Sequence, residues 1–299
     1  MDAPSRVVER PGVVVVCGAT GRQGGGIARH LLAAGWPVRA LSRKPDTPRA
    51  RALRDAGAEV VGADMADRAS LDRAVGGAYG VFNVQNPQIA GFDGEVAQGR
   101  NVAEAARAAG VQHVVYGSAG MGTGTGVPSW DSKVIIADHM RQLGLPITVL
   151  RPMAFMELMT DKDFYPQVSV WHVMPKLMGW DRALPWLAAD DVGVIGAAAF
   201  GDPNRFVGKE IPLAGDVKTL GECRQMWTER GNRPRGFPMP VWLFERVAGK
   251  DLPTMWRWLR EHEVPLDTDP TLAVHPGAQT MRTWLDTRAS GAGGDASTA

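Results

Sequence analysis

Short apolar runs rich in valine alternate with Ala-, Leu- and Arg-rich stretches through the first half of the chain. Residues 13–17, 38–41, 59–62, 81–84, 114–116 and 147–150 read as strands, and 210–213 as one more. They are short and apolar without alternation, as expected of strands covered on both faces. Helical spacing fills the intervals at 25–34 (GGIARHLLAA), 48–56, 70–75, 95–109 and 133–143. Strands and helices in this rhythm imply right-handed βαβ crossovers and a doubly wound parallel sheet, an α/β fold.

After Arg151-Pro152 the rhythm breaks, and Met, Trp and Pro become frequent. Residues 12–155 are expected to form a nucleotide-binding domain, with 186–215 rejoining its sheet. A smaller, mainly helical substrate lobe is expected from 156–185 and 216–288. Residues 1–11 read as a flexible tail, and 289–299, almost all Gly, Ala and Ser, as a disordered one.

The first strand runs into Gly18-Ala19-Thr20-Gly21-Arg22-Gln23-Gly24, a GxxGxxG loop that opens a helix. Glycines permit a tight turn and close approach of a pyrophosphate, whose charge meets the free N–H groups of the helix N-terminus. A glycine loop alone can be an ordinary turn, but its place between strand and helix points to dinucleotide binding. An NAD site commonly ends its second strand with an acid; here the strand ends Leu41-Ser42-Arg43-Lys44, with no acid before Asp46. Arg43 and Lys44 suit a 2′-phosphate, with Arg22 a third cation, so NADP(H) is preferred and NAD(H) is the alternative. The competing reading is a solvated strand end. Asp64, with Met65 after it, either meets an adenine or caps a helix. Gln85 and Asn86 end the fourth strand at the ligand-binding edge.

Composition narrows the classes. In 299 residues, 33 basic side chains face 32 acidic ones, so no overall positive field points to nucleic acid or an anionic membrane. Apolar stretches fall far short of the roughly 18 residues of a membrane span. MDAPSRVVERPG has no signal-peptide core, and a soluble cytoplasmic protein is expected. Cys17 and Cys223 are the only candidates for a disulfide, and six histidines without HExxH spacing support no metal site.

The segments GATGRQGG, LSR, VFNVQNP, WDSK, LRPMAFME (150–157), ADDVG (189–193) and FVGKEIPLAGD (206–216) together resemble the NmrA-like branch of atypical short-chain dehydrogenase/reductases. The resemblance runs from about Val13 to Leu285. It implies a Rossmann-type fold with a small C-terminal substrate lobe. Some members of that branch look like NAD(P)H-dependent reductases of quinones, alkenes or aryl ethers, and others like redox-sensing regulators with little turnover. It also implies that Lys133 hydrogen-bonds the nicotinamide ribose, acts as acid or base, or both.

The superfamily's common YxxxK pair is missing. Ser129 stands four residues before Lys133, and the three tyrosines, Tyr79, Tyr116 and Tyr165, lie elsewhere. Ser118 ends the fifth strand, where it can orient a substrate carbonyl or bond its own backbone. The family's FMEN appears as Phe155-Met156-Glu157-Leu158, which makes the pocket floor more apolar. Nine of ten tryptophans follow residue 129, and methionines recur at 153, 156 and 159. Most should be core, while Met121, Trp130, Met153 and Phe155 flank the expected nicotinamide position over Pro152 and Phe155.

These features point to an NADPH-dependent reductase of an apolar quinone, carbonyl or conjugated alkene, with Lys133 or water supplying the proton. The alternative is an NADP(H)-binding redox-sensing regulator; nucleotide-sugar chemistry ranks last. The expected partner is a small apolar or aromatic substrate, with neither nucleic acid nor membrane. A homodimer or a regulatory protein partner is left open.

Overall fold

Val14, Val15 and Val16 have no exposed surface, and the strand they form runs through the middle of the sheet. In a computed structural model, residues 10–122, 124–160, 169–233 and 238–291 are described. Both expected tails therefore lie largely outside the described residues. The first half folds as β1 (Val14–Val16), α1 (Arg22–Ala33), β2 (Val38–Ser42), α2 (Pro48–Asp55), β3 (Glu59–Gly62), α3 (Arg68–Val75), β4 (Gly80–Asn83), α4 (Pro87–Ala108), β5 (His113–Gly117), α5 (Pro128–Gln142) and β6 (Ile147–Pro152). There follow β7 (Ala154–Phe155), a 3-10 turn at Met156–Met159, a π-helical turn at Ser169–Val173, α6 (Met174–Met178), β8 (Ala183–Leu187), α7 (Ala189–Gly201), α8 (Pro203–Phe206) and β9 (Glu210–Leu213). The chain ends with β10 (Asp216–Thr219), α9 (Leu220–Glu229), α10 (Val241–Ala248), α11 (Asp251–Glu261), α12 (Asp269–Leu272) and α13 (Met281–Gly291).

Seven strands make one parallel sheet in the order β3-β2-β1-β4-β5-β6-β9, with Val14 opposite Val38 on one side and Gly80 on the other. All seven strands expected from the sequence are present, and β9 rejoins the sheet beside β6. The order reverses between β1 and β4, so crossovers leave in opposite directions and a crevice opens at the strands' carboxyl ends. This is the Rossmann-type α/β fold.

The C-terminal part is mainly helical, but it also carries a three-stranded sheet, β10-β8-β7, which the sequence did not announce. Pro185 sits within β8, where proline ordinarily argues against a strand, and β10 is a four-residue DVKT. Around this sheet a separate core gathers Met156, Trp171, Trp186, Trp256 and Trp284.

The ADDVG segment seats α7 on α1. A Cβ on Gly193 would lie 2.6 Å from the Gly26 carbonyl carbon, so the helices meet backbone to backbone. Asp190 pairs with Arg29 at 2.8 Å and His30 at 2.9 Å. Asp191 accepts the Gln279 N–H at 2.9 Å and faces His275 Nε2 at 3.2 Å, although burial pushes its carboxyl up. Glu157, also buried, accepts from the Ala189 N–H and the Trp284 indole.

His113, fully buried in β5, gives the fold an acid limit. The Thr148 hydroxyl donates to the Phe206 carbonyl at 2.8 Å, so it accepts from His113 Nε2, also at 2.8 Å. Nδ1 is then the bare nitrogen, with no partner among the described residues. Burial lowers this imidazole from 6.5 to about 4. Below 6.5 the unfolded chain takes up a proton that the fold refuses. Stability is therefore expected to be intact above pH 6.5 and to fall by about 3 kcal/mol as pH drops toward 4. Denaturant unfolding across pH 4–7 should show this limb, and His113→Gln should flatten it.

Candidate functional site

A cleft of about 380 Å³ runs along the carboxyl edge from the glycine turn to an apolar wall built by the C-terminal part. Gly18, with φ +61°, makes the turn out of β1. Thr20, Gly21, Arg22, Gln23 and Gly24 continue it and line the cleft. Helices α2, α3 and α4 are capped by the side chains of Thr47, Asp67 and Asn86. Helix α1 begins at Gly21, which has no side chain, and its first turn contains no acid. Among the described residues no side chain caps it, so the Gln23 and Gly24 N–H groups and the positive end of its dipole are open to an anion. This uncapped, glycine-lined helix start fits a dinucleotide pyrophosphate.

At the outer end, Arg43 lines the cleft, is exposed, and has no acidic partner among the described residues. Lys44 is exposed too but lies outside the lining; its backbone N–H and carbonyl are both tied to the Ser42 hydroxyl. Asp64 and Met65 face the cleft. Asp67, not Asp64, caps α3, while Asp64 Oδ1 accepts the Ala66 N–H at 2.9 Å. Asn86 spends its side-chain oxygen on the Gln88 N–H. Gln85 is 5% exposed, with its amide nitrogen on the Asn83 side-chain oxygen and 3.6 Å from Met65 Sδ.

In the middle of the cleft Lys133 is bound more tightly than its motif suggests. Its Nζ lies 2.7 Å from Glu95 Oε1 and donates to the Gln85 carbonyl at 2.9 Å. Glu95, on α4, is fully buried and accepts the Ser132 hydroxyl at 2.5 Å on its other oxygen. Sequence reading missed Glu95, because an acid inside a helical stretch ordinarily marks a solvated face. Ser118, 3% exposed, lines the cleft with no hydrogen bond to its hydroxyl among the described residues. Tyr116 is fully buried within β5, and burial, then the charge of Glu95, pushes its phenol well above the usual range. Its ring centre lies 5.9 Å from Lys133 Nζ.

Pro152, Phe155, Trp130 and Met153 line the inner part. Met121 does not; it packs partly buried against the C-terminal core. The wall also uses Met174, and residues that the sequence did not single out: Leu184, with Leu252, Met255, Trp256 and Leu259 of α11. The amphipathic spacing of DLPTMWRWLRE marks an apolar face but not the surface that face covers. Among the described residues no group of His, Cys, Asp and Glu is set to hold a metal, and no helix is long and apolar enough to cross a membrane. Both cysteines are buried and free, and burial pushes the Cys17 thiol up to about 12.

Similarity to known proteins agrees with this geometry. The chain is 29% identical over 265 residues to the NmrA-like family domain-containing oxidoreductase FrzB of Cladobotryum sp, covering 80% of this chain and 74% of that one. The Citrobacter sp. triphenylmethane reductase, solved with NADP(H), superposes with a TM-score of 0.75 at 19% identity, covering 92% of this chain and 99% of that one. NmrA, a negative transcriptional regulator solved in complex with NADP, superposes with a TM-score of 0.74 at 23% identity, covering 96% and 99%. The NmrA-like family model matches residues 11–276, nearly the whole described chain, and the protein belongs to that family.

Proposed function

We propose that the chain is an NADPH-dependent reductase acting on an apolar quinone, carbonyl or conjugated alkene. The observation that carries this reading is one cleft that runs from the start of α1 to a wall of tryptophan, methionine and leucine. NADPH, when bound, supplies a hydride. Gly18 to Gly24 hold its pyrophosphate, and Arg43 answers the 2′-phosphate, supported by Arg22. Asp64 and Met65 frame the adenine, while Gln85, Asn86, Pro152 and Phe155 border the nicotinamide end.

An ammonium has three N–H donors, and two of those of Lys133 already serve Glu95 and the Gln85 carbonyl. Lys133 therefore orients rather than donates a proton, with any remaining N–H turned to a ribose hydroxyl. The Ser118 hydroxyl is the group placed to hydrogen-bond a substrate oxygen, with water as the proton source. The absence of a tyrosine four residues before Lys133, where Ser129 stands, favours a second reading, an NADP(H)-binding redox-sensing regulator.

NADPH consumption against quinones, enones and aromatic ketones, paired with thermal shifts, separates the two. At a hundred times its Kd the nucleotide adds about 2.7 kcal/mol of stability in either case. Only the reductase turns over. In Arg43→Ala, NADPH affinity is expected to fall about tenfold or more, the loss of a charge-assisted contact, with NADH affinity unchanged. Equal losses for both nucleotides would place Arg43 outside the 2′-phosphate site.

A further inference from the structure

The apolar end of the cleft contains an acidic side chain that the proposed function leaves unused. Asp251, the first residue of α11, lines the cleft beside Trp130, Met153, Met255 and Trp256. Its Oδ1 accepts the Ser129 backbone N–H at 2.9 Å, and among the described residues no cation pairs with it. Lys133, one turn along α5 from Ser129 (about 6 Å of helix rise), is already matched by Glu95. The Ser129 side chain adds a second unsatisfied group: the residue is 8% exposed, and its hydroxyl has no hydrogen-bond partner among the described residues. The nucleotide end of the cleft thus carries Arg22 and Arg43 with Asp64, and the apolar end a carboxylate that has no cationic partner among the described residues.

We infer that the cleft selects a flat, conjugated acceptor bearing a positive charge, of the iminium class, with Asp251 as its counter-charge. This rests on the reductase reading and narrows it. A carboxylate in apolar surroundings is costly until an opposite charge joins it, and tryptophan faces hold a delocalised cation well. The chemistry also fits a cleft that no tyrosine lines among the described residues, Tyr165 lying outside them. Reduction of an iminium ion forms one C–H bond from the hydride, and the C=N π pair becomes the nitrogen lone pair. The reduced nicotinamide supplies both electrons and is itself oxidised, and no proton is required.

The test compares two probes of one shape, N-methylisoquinolinium and the neutral 2-methylnaphthalene, by tryptophan fluorescence in the presence of NADP+. Wild type is expected to bind the cation about tenfold or more tightly than the neutral probe. Asp251→Asn, whose amide oxygen can still accept the Ser129 N–H, should lose that preference while its affinity for the neutral probe is unchanged. In turnover, N-methyl-3,4-dihydroisoquinolinium should be reduced faster than 1-tetralone, and the substitution should raise KM for the cation alone. Equal binding of both probes by wild type, or a preference that survives in Asp251→Asn, overturns the inference and leaves Asp251 as a latch on Ser129. A cation preference without turnover of any acceptor would instead overturn the reductase reading.

Discussion

Glu95→Ala is expected to lower folding stability by about 3–5 kcal/mol, the range found when one member of a buried ion pair is removed. Lys133 keeps its ammonium in a side chain only 6% exposed, facing a carboxylate with no exposure at all. Without Glu95 the charge keeps only the Gln85 carbonyl, and the Ser132 hydroxyl loses its acceptor as well. Denaturant unfolding measures the loss. Lys133→Met should cost a comparable amount, because it strands the carboxylate instead. Replacing both, as Glu95→Leu with Lys133→Met, should recover most of the stability, since two well-packed apolar groups often equal a buried pair. Additive losses in the double variant would mean that the two side chains are not paired. The double variant also separates roles: if it folds and binds NADPH but turns nothing over, Lys133 has a function beyond holding α5 to α4.

How far this arrangement could be read beforehand depended on whether a signal was local. The valine runs of β1, β4 and β5 announce a doubly covered sheet because each strand carries its own evidence, and the glycine turn announces an anion site by backbone chemistry alone. Glu95 carries no such mark. Its role exists only because α4 and α5 pack with Glu95 against Ser132 and Lys133. The α11 wall is similar: a helix shows which face is apolar, not what that face will meet. Asp64 and Asp67 stand three residues apart and both can cap, and only the start of α3 at Arg68 decides between them. Strand β8 was hidden by Pro185, whose local preference is overridden by pairing with β7 and β10. Lys44 and Met121 are each one step from the cleft, beyond the reach of spacing arguments.

The glycine turn yields the sharpest contrast between stability and binding. Gly24→Ala is expected to destabilise the fold by about 3–4 kcal/mol, at the upper end of overpacking effects, despite alanine's better helix propensity. The added Cβ would collide with the Gly18 carbonyl oxygen and lie 2.6 Å from the Cys17 oxygen. Both are backbone atoms where β1, the buried centre of the sheet, turns into α1, so relief requires moving the helix start itself. Nucleotide binding should go with it. Gly21→Ser should behave oppositely. Gly21 has φ −88°, which any residue adopts, and a Cβ there meets only the Gly18 oxygen, at 3.1 Å. A serine at this N-cap can accept the N–H of Gln23 or Gly24, which no side chain caps among the described residues, and this ordinarily stabilises a helix by a few tenths of a kcal/mol relative to glycine. The same bond removes donors from the pyrophosphate. Gly21→Ser should therefore melt at or above the wild-type temperature without ligand, yet gain less from NADPH. If it instead gained as much as wild type, the open start of α1 would not be where the phosphates are held.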